Sequence, residues 1–124
     1  MKVKRPVNLD LTKFHFPIMA ILSILHRVSG VLLFFALPFW LYLLQQSLVS
    51  AESFANVQVL LTHSGIQFFL WITLSALAYH LVAGVRHLLM DIGIGEHLPR
   101  ARHGAWFTLG VAVVLILLAG VWIW

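Results

Sequence analysis

Four residues near the start of the first apolar stretch are spaced so that their side chains could form a reactive or binding site. They are Ser23, His26, Arg27 and Gly30, at i, i+3, i+4 and i+7, which predicts that all four share one helical face. A hydroxyl, an imidazole and a guanidinium would then converge beside a glycine gap. A second interpretation is that His26 and Arg27 extend to lipid headgroups, since they lie within about two turns of the helix end.

A second group, His80, Gly84 and His87, falls at i, i+4 and i+7 in a later apolar stretch. His80 is expected about 15 Å from the end of that stretch, close to the bilayer midplane, and His87 only about 5 Å from it. An ionisable group at such depth costs at least about 2.5 kcal/mol, which makes it a candidate for function. His80 could form an interhelical hydrogen bond, or it could be an axial ligand of a haem.

The amino-acid composition indicates whether these residues lie in a membrane or in water. The chain has 124 residues, of which 61% are hydrophobic and 10% charged, with a mean hydropathy of +0.97. Such a balance is typical of an all-α membrane protein and not of a soluble domain. The net charge of +4 could suggest nucleic-acid binding, but the placement of the basic residues beside the apolar segments argues against it. Because the sequence has no cysteine, thiolate-held metals and covalent haem are excluded, and only His, Asp, Glu and backbone groups remain as cofactor ligands. If His80 binds a haem, that haem would be a b-type one held by imidazole.

Three apolar segments predict three transmembrane helices within a single domain of residues 1–124. They run over about 18–44, 66–90 and 105–124. The polar loop between the first two segments could hold a short interfacial helix around 54–61. The link before the third segment contains Gly93, Gly95 and Pro99, which are interpreted as helix breakers.

The distribution of basic residues predicts the orientation of the chain in the membrane. Of the eight Lys and Arg residues, five lie at or near the start of the chain, three lie around the second link, and none lies in the first loop. By the positive-inside rule, the N-terminus and the second link face the cytoplasm. The first loop and the C-terminus then face outward.

If His80 holds a haem, a second axial imidazole must lie at the same depth on the opposite face of the porphyrin. Residue counting places His26 about 9 Å nearer the cytoplasm than His80, so we expect the second ligand to come from another chain. His26, Arg27, Arg86 and His87 would instead form a cationic collar around the haem propionates.

Two stretches of this sequence carry a family resemblance. They are RPVNLDLTKFHFPIMAILSILHRVSG, residues 5–30, and HLVAGVRHLLMDIG, residues 80–93. Both closely resemble the cytochrome b membrane-anchor subunit of bacterial succinate dehydrogenase, respiratory complex II. With three crossings in the same order, the resemblance covers essentially the whole chain.

The resemblance implies a non-catalytic subunit of a complex in the bacterial inner membrane. A flavoprotein subunit would oxidise succinate, and an iron–sulfur subunit would carry the electrons to the membrane. Two hydrophobic anchor subunits would form one helical bundle that binds haem b and reduces ubiquinone. Electrons and protons would both reach the quinone near the cytoplasmic face.

The resemblance also implies roles for individual residues. His80 matches the haem ligand, with the second axial histidine coming from the other anchor, and Ser23 and Arg27 match the quinone site. His26 and Arg27 match positions near the propionates. His87 and Asp91 match motif residues without a settled role, and Gly84 lies beside them.

Other functions are compatible with the residues alone. One is the anchor of a fumarate reductase, which runs the reverse reaction with another quinone. Another is a small proton or metabolite transporter with His80 as a proton relay, which would work without partners and absorb no visible light. A third is a purely structural anchor in which His80 only packs.

Overall fold

The computed structural model describes residues 15–124, and helices account for most of them. These helices are α1 (Ile18–Ser47), α2 (Ala51–Leu60), α3 (Ser64–Asp91) and α4 (Leu98–Ile123). α1, α3 and α4 are each long and apolar enough to cross a membrane, as the sequence predicted. The basic residues Lys2, Lys4, Arg5 and Lys13, on which part of the orientation rests, lie outside the described residues.

The end of α3 is defined by a glycine in the left-handed conformation. Gly93 has φ of 87°, its N–H donates to Met90 O at 2.9 Å, and Ile94 N donates to Leu89 O at 2.9 Å. This pair of bonds is a Schellman motif, in which glycine is favoured because it has no Cβ. The glycine breaker predicted at this position is therefore confirmed.

Pro99 does not break a helix, and the sequence interpretation of this residue was wrong. It lies in the first turn of α4, which begins at Leu98, seven residues before the apolar segment. A proline is well tolerated there because the first amides of a helix have no intrahelical acceptor. The link between α3 and α4 is consequently short and spans only residues 92–97.

The first loop contains the short helix that its sequence suggested. The Ser50 side chain caps α2 by accepting a hydrogen bond from Ser53 N at 3.0 Å. The Ser53 hydroxyl donates to Gln46 O at 2.6 Å. α2 is thereby attached to the last turns of α1.

Small residues form the interior of the bundle. α3 packs against both α1 and α4, which also contact each other. The buried positions of α1 repeat every seven residues, and those of α4 alternate steps of four and three: Leu22, Ser29, Ala36, Leu43; Ala101, Ala105, Thr108, Ala112. Such spacing is typical of helices that pack with a small crossing angle, and alanine lets their backbones approach closely.

Side-chain donors on one helix reach acceptors on the next at three levels of the bundle. The pairs are Tyr79 Oη to Leu22 O at 2.6 Å, Trp40 Nε1 to Thr73 Oγ1 at 3.1 Å, and Trp71 Nε1 to Ile116 O at 3.0 Å. A polar group with no partner in the hydrocarbon region is costly, so these bonds favour one particular arrangement of the helices. They fix the stagger of α1 and α4 against α3.

Many large apolar side chains point away from the bundle. Phe34, Phe35, Val121 and Trp122 are each more than 70% exposed. Patches of this kind are expected where a protein meets lipid or another membrane helix.

The Tyr79 contact generates a test of this packing. Tyr79→Phe removes a hydroxyl that is buried and bonded across α1 and α3, so we expect the bundle to lose about 1 kcal/mol of stability. Thermal unfolding in detergent micelles measures this loss. Tyr42→Phe is the matched control, because the Tyr42 side chain is 56% exposed. Equal unfolding midpoints for the two variants would contradict the role given to Tyr79.

Candidate functional site

The imidazole of His80 is held by two oxygens of α1. His80 Nδ1 lies 3.0 Å from Ser29 Oγ and 3.1 Å from the carbonyl oxygen of His26. The Ser29 hydroxyl donates its own hydrogen to the same carbonyl at 2.8 Å. Because a carbonyl only accepts, Nδ1 must be the protonated nitrogen of His80. Nε2 therefore carries the lone pair and makes no hydrogen bond with a described residue.

Gly30 allows this close approach of α1 and α3. A Cβ atom at Gly30 would lie 3.0 Å from His80 Cε1, which is too close for an ordinary contact. A side chain at Gly30 would therefore press the His80 ring away from α1 by a few tenths of an ångström. The glycine gap predicted from the sequence is occupied by the histidine ring itself.

Three imidazoles form a stack next to this contact. The His26 ring lies 4.0 Å from the His80 ring, centroid to centroid, with 13° between the planes, and 5.6 Å from the His87 ring. His26 Nε2 is buried and has no hydrogen-bond partner among residues 15–124. A Cβ at Gly84 would lie 3.4 Å from that nitrogen, so the small residue leaves room for it.

The stack shows that the depth estimate for His26 and His80 was wrong. That estimate placed the two rings about 9 Å apart in depth by counting residues from the ends of the apolar runs. It assumed that those ends lie level. The stagger of α1 against α3 instead follows the bonds between Tyr79 and Leu22 and between His80 and His26, and it brings the two rings together.

The stacked pair does not have the arrangement of two axial ligands. Axial imidazoles approach a metal from opposite sides, with their nitrogens directed at each other, whereas the rings of His26 and His80 lie face to face. Among the described residues, no group of three or more His, Asp or Glu side chains could hold a metal ion.

Arg86 has a partner that sequence reasoning missed. Its Nη2 donates to Ala101 O at 3.1 Å, which connects α3 to the first turn of α4. Arg86, His87 and Asp91 also line a small cavity of about 240 Å³ together with Met19 and Met90. The structure thus brings together three residues of the second motif, although Asp91 forms no ion pair with Arg86 or His87.

The four residues of the first motif lie on one side of α1, within an arc of about 100°, but they do not meet the same surroundings. His26 and Gly30 face α3, whereas Arg27 is exposed and lies beside Val28 and Val31. Neighbouring residues of a helix point about 100° apart, so His26 and Arg27 are directed to different surroundings. Ser23 is half-buried one turn before Arg27.

The hydroxyl of Ser23 and the guanidinium of Arg27 form no hydrogen bond with any described residue. Ser23 thus does not bond a backbone carbonyl of its own helix, although serines in helices often do so. Both groups are free, within this part of the chain, to meet a ligand or a partner.

Sequence reasoning gave no role to Ser29 or Tyr79, although a signal for Ser29 was present. Ser29 falls in the seven-residue repeat of buried α1 positions, and it follows His26 by one turn. A serine at an inward position next to a candidate histidine is a natural hydrogen-bond partner.

Comparison with known proteins finds relatives of one kind, and they match almost the whole chain. Residues 1–119 match the family described as succinate dehydrogenase/fumarate reductase transmembrane subunit. The sequence is 55% identical to the succinate dehydrogenase cytochrome b556 subunit of Coxiella burnetii, with all of both chains covered. It is 31% identical to the cytochrome b560 subunit of Reclinomonas americana, over 96% of this chain and 86% of that one. The cytochrome b556 subunit of Paracoccus denitrificans is 30% identical, over 92% and 88% of the two chains.

Proposed function

The chain belongs to the family of succinate dehydrogenase/fumarate reductase transmembrane subunits, and from that membership we propose how its residues work. It is a cytochrome b membrane-anchor subunit of succinate dehydrogenase, as its relatives are. The relatives are named for succinate dehydrogenase, which favours that enzyme over the fumarate reductase considered from the sequence. The chain resides in the membrane, and we place the N-terminus and the α3–α4 link on the cytoplasmic side.

His80 is the haem b ligand in this proposal, and the two oxygens within hydrogen-bond distance of its Nδ1 are the observation that carries the assignment. A histidine that binds a metal typically donates its other ring N–H to an oxygen, which directs the free lone pair at the metal. The bonds from His80 Nδ1 to Ser29 and to the His26 carbonyl have this form. Bound haem supplies one-electron redox chemistry.

A second haem ligand would come from the other anchor subunit. Within residues 15–124, the nearest imidazole is that of His26, and its face-to-face stacking on His80 is unsuited to ligation from the opposite side. The unpartnered His26 Nε2, together with Arg27, Arg86 and His87, would serve the negatively charged propionates. Gly84 leaves room for His26 Nε2, and Asp91 lines one cavity with Arg86 and His87, where it would lie close enough to act on them.

Ser23 and Arg27 contribute to the ubiquinone-reduction site. A hydroxyl and a guanidinium can hydrogen-bond the quinone oxygens, and the guanidinium stabilises the negative charge that forms on reduction. Neither group is used by a described neighbour, which supports a role toward a ligand. The flavoprotein and iron–sulfur subunits supply the electrons from succinate, so this chain binds and orients and does not itself break bonds in succinate.

His80→Leu tests the ligand assignment. We expect the reduced-minus-oxidised visible spectrum of the purified complex to lose its b-type band, because leucine offers no lone pair to iron. His103→Leu, an exposed histidine of α4, should leave the band unchanged. A wild-type complex without any haem band would refute the proposal and leave a haem-free anchor or the transporter as explanations.

Gly30→Val tests whether the close approach of α1 is needed for the ligand. The new Cβ would press on His80 Cε1, so we expect the haem content per complex to fall at least severalfold. Gly110→Val is the control, because a Cβ at Gly110 meets nothing within 4 Å. Haem content is measured by the pyridine haemochrome spectrum. Unchanged content in Gly30→Val would show that the contact is dispensable.

Arg27→Leu tests the quinone assignment. Removal of the guanidinium should abolish succinate-dependent quinone reduction and leave succinate oxidation with a soluble dye largely intact. Arg102→Leu, an exposed arginine of α4, is the control and should preserve both activities. If both activities of Arg27→Leu fall together, Arg27 has a structural role and the site assignment is wrong.

A further inference from the structure

We propose that Ser29 is a positioning residue for the metal-binding ring of His80: its hydroxyl fixes which nitrogen is protonated and how the ring is turned. This inference rests on the proposed haem-binding function of His80 and deepens it. It concerns a residue that does not itself touch haem.

A closed group of three polar atoms carries the inference. Ser29 Oγ donates to the His26 carbonyl at 2.8 Å, and both oxygens lie within 3.1 Å of His80 Nδ1. Because the serine hydrogen is directed at the carbonyl, the lone pairs of Oγ remain available to accept from Nδ1–H. The hydroxyl therefore cannot turn round and donate to His80 without leaving the carbonyl.

Two acceptors restrain the ring more than one would. A single hydrogen bond to the His26 carbonyl would let the imidazole occupy a range of positions that keep that bond. Two acceptors, 3.0 Å and 3.1 Å from the same nitrogen and bonded to each other, narrow that range because the ring must keep both contacts. On the other wall, Gly30 approaches Cε1 closely and limits how far the ring can move.

Burial makes the Ser29 hydroxyl hard to replace. Ser29 is only 7% exposed and belongs to the inward-facing repeat of α1. Water is scarce at this position in a membrane helix, so no solvent oxygen would substitute for a missing hydroxyl. Without the Ser29 hydroxyl, His80 Nδ1 would therefore lose one of its two acceptors.

The same bond adjusts the electronic properties of the ligand. When Nδ1–H donates to an oxygen, electron density on the ring rises and Nε2 becomes a stronger donor to a metal. A stronger donor stabilises the oxidised metal relative to the reduced one. Loss of the serine oxygen is therefore expected to shift the haem midpoint potential to more positive values.

A purely structural role for Ser29 makes a different prediction, and the chain offers a matched control. Ser75 of α3 is also partly buried, and its hydroxyl donates to a carbonyl of its own helix, Trp71 O, at 2.6 Å. Among residues 15–124, Ser75 forms no hydrogen bond with a histidine. Removing either hydroxyl breaks one bond within a helix, but only the change at Ser29 reaches His80.

The experiment uses the intact succinate dehydrogenase complex with Ser29→Ala, Ser75→Ala or the wild-type chain. We measure haem affinity, the midpoint potential by redox titration, and the low-field g value of the oxidised haem by electron paramagnetic resonance. For Ser29→Ala we expect a more positive midpoint potential and a shifted g value. We also expect haem binding to weaken about tenfold. This is the low end of the loss in metal affinity that follows when a metal-binding histidine loses its hydrogen-bond partner, because the His26 carbonyl still accepts from His80. Ser75→Ala should match the wild type.

A second pair of variants separates the hydroxyl from the size of the side chain. Ser29→Thr and Ser29→Val add nearly equal volume, but only threonine keeps a hydroxyl that can bond the carbonyl one turn back. We expect the potential of the valine variant to lie above that of the threonine variant. This comparison holds even if the added methyl group loosens the packing.

The inference is overturned if Ser29→Ala leaves the potential and the g value unchanged, or if Ser75→Ala shifts them equally. Identical potentials for the threonine and valine variants also overturn it. Failure of the proposed function has a different signature, because the wild-type complex would then lack haem or His80→Leu would retain it.

Discussion

The structure depends on the contact in which the His80 ring is bonded to α1 at His26 and Ser29. In a bilayer, apolar side chains gain little by leaving lipid for protein, so helices do not associate through hydrophobic burial alone. A ring N–H that meets a carbonyl and a hydroxyl of the neighbouring helix has a strong preference for one arrangement. That preference sets both the distance and the stagger between α1 and α3.

The same physical constraint explains why α3 occupies the centre of the bundle. Polar groups of α3 make bonds to α1 on one side and to α4 on the other: the α1 pairs involve Tyr79, His80 and Thr73, and the α4 pairs involve Trp71 and Arg86. Each donor that is paired across helices avoids the cost of an unsatisfied group in the hydrocarbon region. Because the acceptors are mostly backbone carbonyls, the bonds constrain where the helices lie more than which side chains face them.

The site is incomplete in a way that is consistent with an obligate partner. His80 Nε2 has no described partner, His26 Nε2 is buried and unbonded, and many large apolar side chains face outward. A bundle built for independent existence would be expected to satisfy such groups internally. A second anchor and a shared cofactor would satisfy them instead, which accounts for a chain that is mostly membrane-embedded surface.

Sequence alone determined the class of the protein, its three candidate crossings and the glycine stop after α3, and it singled out His80 as a candidate for function. These follow from composition, from apolar segment length and from the cost of ionisable groups in a membrane, which are all local properties of the chain. Recognition of two motifs supplied the family and with it the expected partners and cofactor. The start of α4 was missed because proline can either begin or break a helix, and only the surrounding structure distinguishes the two.

Tertiary structure alone decided how the polar residues meet. The stack of His26 on His80, the direction of Arg27 away from it and the bond of Arg86 to α4 all depend on the stagger and rotation of the helices. The spacing of residues along one helix gives their angular positions around the axis of that helix. It does not give the height at which a neighbouring helix packs against it. That level results from bonds between distant residues, such as Tyr79 with Leu22, and residue counting therefore misjudged the relative depth of the two histidines.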